Sequence, residues 1–175
     1  MISQKIDLAI REVPDFPKPG INFKDITTLL LDAELSSDII SSFIDRLKGK
    51  KIDAIVGVES RGFLFGFLLA HKIGIPFIPI RKSGKLPGET LKCQYDLEYG
   101  SAEVEIHKSD IQKDWNVLVH DDLLATGGTA CAAAKLLDIL EVNITGFAFI
   151  VNLQFLNGAE RIKKYSNNII TLIDY

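Results

Sequence analysis

Residues 117–130, VLVHDDLLATGGTA, set an apolar run directly before two acids, then a short loop with Thr126, Gly127, Gly128 and Thr129, then an alanine-rich stretch. These residue types suit a strand that delivers an anion to a helix N-terminus. The first helical turn carries N–H groups without intrahelical partners, and the helix dipole adds positive potential there. Glycines let the main chain approach phosphate oxygens with no Cβ between. Asp121 and Asp122 would repel a phosphate in direct contact. They suit ribose hydroxyls, Mg²⁺ or positive charge developing on a sugar carbon. A lone Asp-Asp is more often an ordinary strand–turn–helix junction; the ordered string favours a ligand site.

A second cluster, Val58-Glu59-Ser60-Arg61-Gly62, also sits between an apolar run and a helical one. Main-chain N–H groups and the planar fork of Arg61 would hold a second phosphate-like group. The competing reading is a hydrolase nucleophile elbow at Ser60, whose full pattern needs Gly where Val58 stands. A third cluster, residues 81–90, carries Arg81, Lys82 and Lys85 with Gly84 and Gly88. It is either a solvated basic loop or a cationic lid that excludes water from a reactive sugar. Neither the Gly-x4-Gly-Lys-Ser/Thr pattern nor Gly-x-Gly-x-x-Gly occurs.

In Tyr95-Asp96-Leu97-Glu98-Tyr99-Gly100 a carboxylate lies between aromatics. Desolvated in a closing site, Glu98 would serve as general acid or base; as an exposed hairpin carboxylate it would do neither, and its residue type leaves both open. Phe23, after the proline-rich segment 13–20, could stack on a planar base or belong to the core. His71, His107 and His120 show no ligand spacing, so catalytic zinc is not expected. His120 reads as a satisfied polar group at a strand end. Cys93 and Cys131 also lack metal-ligand spacing and are expected to be reduced thiols.

Positioning these residues requires strands alternating with helices. The apolar spacing predicts helices at 3–12, 36–48, 62–72, 128–140 and 159–165, and strands at 54–58, 77–80, 116–120, 144–151 and 169–173. A short strand is expected at 21–24, a loop at 81–90, and a hairpin from 95–98 and 102–106 across Tyr99-Gly100-Ser101. Apolar, non-alternating strands separated by helices predict an α/β fold with a mostly parallel sheet and helices on both faces. The three chemical clusters then share the sheet's carboxyl rim, where such folds bind ligands.

At 175 residues, one domain with a substantial core is expected. Hydrophobic content of 47% and a mean hydropathy of +0.17 argue against disorder. A net charge of −3 gives no electrostatic case for nucleic acid or an anionic membrane. No apolar run is long enough to span a bilayer, and residues 1–13 read as an amphipathic helix rather than a targeting signal.

Taken together the segments resemble the adenine phosphoribosyltransferases, of the type I phosphoribosyltransferase family. The resemblance runs from Pro14-Asp15-Phe16-Pro17-x-Pro19-Gly20 to Leu153-x-x-Leu156-x-Gly158. Its most specific pieces are Arg81-Lys82-x-Gly84-Lys85-Leu86-Pro87-Gly88, Tyr95-x-Leu97-Glu98-Tyr99-Gly100 and the Asp121–Thr129 string. It implies a type I phosphoribosyltransferase fold over 1–175, with an N-terminal hood at about 1–35 and a flexible loop at about 81–107. It implies a cytoplasmic homodimer that makes AMP and pyrophosphate from adenine and PRPP with Mg²⁺, in purine salvage. Ala125, Thr126, Gly127, Gly128 and Thr129 would grip the 5′-phosphate, and Asp121 and Asp122 the ribose hydroxyls. Ser60, Arg61, Arg81, Lys82 and Lys85 would take the pyrophosphate, with Arg81 and Lys82 reaching toward a partner subunit's site. Adenine would lie between Phe23 and Leu153, read by main-chain groups of Asn22 and Lys24. Glu98 would handle the imidazole proton. Mg²⁺ would bind mainly through PRPP. Three positions depart from the family pattern: His120 where Val or Ile is common, Asn152 where Glu is common, and Ala159 where Arg is common. A 6-oxopurine enzyme would need a lysine near Leu153, and none is there. A PRPP-sensing regulator would need an added DNA-binding domain, for which no length remains before Pro14.

Overall fold

The computed structural model describes residues 1–16, 18–96 and 100–175. Helix α1 (Ile2–Ala9) ends three residues earlier than its apolar spacing predicts. Arg11 and Glu12 belong instead to strand β1 (Arg11–Val13), which pairs antiparallel with β2 (Phe23–Asp25) across the proline-rich turn. Strand pairing with residues distant in sequence overrode the local helical pattern. These two strands form a separate antiparallel pair within the segment, about 1–35, expected to be the hood. Helix α2 (Ala33–Leu47) starts where Asp32 accepts a 2.9 Å hydrogen bond from the Leu35 N–H.

The core motif then repeats. Strand β3 (Ala54–Val58) leads into α3 (Gly62–Ile73), which stops at Gly74 in the left-handed conformation, φ +75°. Strand β4 (Phe77–Lys82) continues two residues beyond its apolar stretch because Arg81 and Lys82 pair with Glu105 and Val104. The hairpin of β5 (Thr90–Asp96) and β6 (Ser101–His107) is longer than predicted and stands antiparallel on β4. Strand β7 (Asn116–Leu124) precedes α4 (Gly128–Ile139), then β8 (Asn143–Asn152), α5 (Gly158–Ile162) and β9 (Ile169–Asp174). The seven-stranded order is β5-β6-β4-β3-β7-β8-β9, with β4, β3, β7, β8 and β9 parallel.

Alternate residues of the central strands feed two cores. Val56, Val58, Val117, Val119, Phe147 and Phe149 face α4 and α5. Ile55, Leu118, Ala148 and Ile150 face α1, α2 and α3. A sheet covered on both faces needs strands apolar at every position, which is why the runs read as continuous rather than alternating. Because the five strands are parallel, all their carboxyl ends emerge on one rim.

Candidate active site

Strand β7 carries the acidic pair further into the sheet than its apolar run suggests. Pairing continues along β8, with Asp121 opposite Phe149 and Leu124 opposite Asn152, so both acids sit within the strand. Asp122 is buried. The Arg61 Nε stands 3.0 Å from Asp122 Oδ2 as an ion pair. Asp121 Oδ1 accepts the Asp122 N–H at 2.9 Å. Burial holds the Asp121 carboxyl well above the usual carboxylate range, the neighbouring Asp122 charge adds to this, and Arg61 opposes it. Helix α3 reaches the pair only because it begins with glycine: a Cβ at Gly62 would come within 2.7 Å of Asp121 Oδ1.

His120, one residue earlier, is a correction to the strand-end reading. It lies within β7, fully buried, and neither ring nitrogen has a hydrogen-bond partner of ordinary geometry. Phe43 meets its ring edge-on at 5.5 Å. Burial lowers its pKa to about 4, against a slight opposing influence from the Ala148 main chain. It is a neutral core ring beneath the acids.

The loop after β7 is built for close approach. Gly127 takes φ +77°, which favours glycine, and no side chain caps the α4 N-terminus. A recess of about 70 Å³ is lined by Asp121, by residues 123–130 and by Phe149. From outside, α5 braces this loop. The Arg161 guanidinium donates to the Thr126 carbonyl at 2.9 Å. A Cβ at Gly158 would stand 2.1 Å from the Ala125 carbonyl oxygen.

The turn after β3 completes a second, larger cavity. A cleft of about 380 Å³ is lined by Glu59, Ser60, Arg61, Lys82, Asp121, Asp122, Leu123 and Thr129. It joins Ser60, Arg61 and Lys82 to the acids and to the first turn of α4. Ser60 Oγ has no hydrogen-bonded histidine among the described residues, as a hydrolytic nucleophile requires. Arg81 instead clasps Glu59, at 3.1 Å through Nε and 3.2 Å through Nη2, and reaches the Lys85 carbonyl at 3.3 Å. Burial pushes the Glu59 carboxyl up, but bonds from Arg81 and the Lys82 N–H prevail and leave it below its ordinary value. Lys85 does not line the cleft; its main-chain N–H and that of Leu86 both donate to buried Glu105 at 2.8 Å.

The hood borders this cleft through Phe23, whose ring centre lies 5.2 Å from the Arg61 guanidinium carbon. Phe16 packs edge-on against Phe23 at 5.2 Å. The Asn22 amide donates to Glu12 at 3.0 Å, and Lys24 pairs with Glu12 as well. Leu153 follows β8 directly and donates its N–H to the Leu124 carbonyl at 2.9 Å, so it too stands at the rim. Glu98 lies outside the described residues. Glu105, Arg161 and Tyr175 were not singled out by sequence pattern, and Glu59 and Gly158 entered only as members of their motifs, with no role assigned. They act on neighbours distant in the chain, and local spacing carries no mark of that; a glycine opening a helical run at 158 was the one visible signal.

The Phosphoribosyl transferase domain family model matches residues 28–173. The adenine phosphoribosyltransferase of Koribacter versatilis is 51% identical over 166 residues, covering 95% of this chain and 90% of that protein. The crystal structure of adenine phosphoribosyltransferase from Thermoanaerobacter pseudethanolicus superposes with a TM-score of 0.95 at 46% identity, covering 100% of both chains. That of Saccharomyces cerevisiae, complexed with D-2,5-dideoxy-2,5-imino-altritol 1,6-bisphosphate and adenine, gives 0.92 at 42% identity, with 98% of each chain covered. With the glycine-containing loop of residues 125–129, an acidic pair and the Arg61 turn on one rim of a type I phosphoribosyltransferase fold, the chain belongs to the adenine phosphoribosyltransferases and is a pentosyltransferase enzyme.

Proposed function

We propose that the protein transfers the 5-phosphoribosyl group of PRPP to adenine, giving AMP and pyrophosphate. One observation carries the reading: a single cleft joins Arg61 and Lys82 to Asp121, Asp122 and the uncapped start of α4. An anion-binding turn, a carboxylate pair and a phosphate loop in that sequence match the pyrophosphate, ribose and 5′-phosphate of PRPP. The bisphosphate and adenine named for the yeast relative support the same substrate class.

In this reading Ala125 to Thr129 hold the 5′-phosphate through main-chain N–H groups and hydroxyls. Ser60, Arg61 and Lys82 bind the pyrophosphate. Arg81 and Lys85 shape this wall, Arg81 by holding Glu59, until a substrate or partner subunit engages them. Breakage of the C1–oxygen bond leaves positive charge on the sugar, which Asp121 and Asp122 stabilise. Adenine, stacked on Phe23 and held from the other side by Leu153, supplies N9 to C1. Main-chain groups of Asn22 and Lys24 read its edge. Glu98 takes or returns the imidazole proton. Mg²⁺ fits this donor set. Two adjacent carboxylates offer hard oxygens, and substrate oxygens and water would complete the coordination. Asp121 and Asp122 are the residues that would face it, and its charge would neutralise the departing pyrophosphate.

The working form is proposed to be a homodimer through α3. This helix is apolar around its circumference yet leaves Leu64, Phe67 and Leu68 exposed, an arrangement that suits burial against a second copy. Its first turn is the Arg61 turn, so dimerisation would also rigidify the pyrophosphate site. No helix among the described residues is long and apolar enough to cross a membrane. A cytoplasmic role in purine salvage is the proposed setting. The reading is tested by incubating the protein with PRPP, Mg²⁺ and a panel of bases. Formation of AMP from adenine, with hypoxanthine, xanthine and orotate inert, is expected; a different preferred base overturns the assignment.

A further inference from the structure

Tyr175 joins two regions that nothing in the sequence connects. Its hydroxyl donates to Asp7 Oδ1 of α1 at 2.6 Å. The Lys24 ammonium of the hood lies 3.9 Å from the centre of its ring. Its main-chain N–H donates to the Asn152 carbonyl at 2.9 Å, and its own carbonyl accepts from the Gln154 N–H at 2.8 Å. The ring is half-buried against the α1–α3 core. Tyr175 therefore touches Lys24 on one wall of the proposed base site and the residues on either side of Leu153 on the other.

The grip on Lys24 is tight for a cation. The Lys24 side chain is only 10% exposed, closed in by Glu12 and the Tyr175 ring. A cation over an aromatic face is held more strongly when desolvated. Glu12 also accepts from the Asn22 amide, so the hood's base-facing residues form one connected unit with Tyr175 at its foot. On the other wall, Asn152 is buried and tied through its amide to Asp174 at 3.0 Å.

We propose that Tyr175 is a positioning residue for base recognition: it clamps the hood to the end of β8 and thereby sets the gap between Phe23 and Leu153 into which the planar base must fit. This rests on the reading of that gap as the adenine site. PRPP, in the same reading held by α4 and the Arg61 turn, is spared, because Tyr175 bonds to Asp7, Asn152 and Gln154 and stacks under Lys24, and among the described residues to none of those two elements.

The full chain with Tyr175→Ala and with Tyr175→Phe is compared with the unaltered protein by steady-state kinetics in both substrates. The expectation for Tyr175→Ala is a rise of about tenfold in KM for adenine, with KM for PRPP changed by less than about twofold. Tyr175→Phe keeps the ring under Lys24 and loses only the Asp7 bond, so it should recover most of the adenine affinity. That recovery also covers the case in which Tyr175→Ala fails to fold: Tyr175→Phe then still has to show a KM rise confined to adenine, of about two- to threefold. Parallel rises in both KM values, or an unchanged KM for adenine, overturn the proposal while leaving the enzyme's function intact. If the unaltered protein does not use adenine at all, the functional reading falls, and this proposal with it.

Discussion

At the scale of single residues, the site is an electrostatic compromise that weakens the free protein. Asp121 keeps its proton to a higher pH in the folded chain than in the unfolded one, because burial and Asp122 disfavour its charge. Above that raised pKa its ionisation therefore costs folding free energy. Asp121→Asn should stabilise the protein wherever the native Asp121 is ionised, a gain that shrinks as pH falls through its raised pKa toward the ordinary carboxylate value. The same substitution should lower kcat/KM for PRPP by about a hundredfold. Thermal melts across pH, set beside initial rates, check both halves. His120 acts with the opposite sense. Its pKa of about 4 lies below the ordinary 6.5, so the unfolded chain binds its proton first and stability drains away between those values. The loss amounts to about 3 kcal/mol by pH 4. His120→Ile should remove that component, and urea titrations at pH 7 and pH 4.5 will show it as a smaller difference between the two. Glu98→Ala should reduce kcat by about a hundredfold or more with little change in PRPP affinity. Near-normal turnover would take Glu98 out of the mechanism.

At the scale of elements, the loop of residues 125–129 owes its shape to α5, which belongs to a later part of the chain. Gly158 leaves no room for a side chain against Ala125 and Gly127, and Arg161 ties down the Thr126 carbonyl. Gly158→Ala must push the loop aside, because the obstructing atoms are main chain. We expect a destabilisation of about 1–3 kcal/mol and a KM for PRPP raised by about tenfold, with the KM for adenine much less affected. Chemical denaturation together with a two-substrate kinetic grid measures this. The basic segment after β4 has a comparable anchor in Glu105, a buried acid that accepts from Lys85, Leu86 and Thr90.

At the scale of the whole molecule, the covering of the sheet is uneven. The face under α4 and α5 is closed by small side chains, Ala130 and Ala132 to Ala134, packed on the central strands. The other face carries α3, whose outer side remains apolar and exposed. Sedimentation velocity should find a dimer. Phe67→Asp should weaken it by about a hundredfold or more, because a charge would be placed in an apolar contact. A wild-type monomer at micromolar concentration removes the α3 interface from consideration.

The sequence by itself determined the alternation of strands and helices, the rim on which the chemistry lies and the family. Those are properties of apolar period, glycine placement and short ordered motifs, all of them local. Residues 54–58 and the helix starts at Gly62 and Gly128 were legible for that reason. Local pattern missed what depends on partners far along the chain. Arg11 and Glu12 became a strand because β2 lies beside them, and the acids joined β7 because β8 runs alongside. Arg81 turned toward Glu59, and Tyr175 came to bridge hood and sheet. Such pairings are set by the free energy of closing long loops against contacts that exist only once both cores have packed, and no window of neighbouring residues contains that balance.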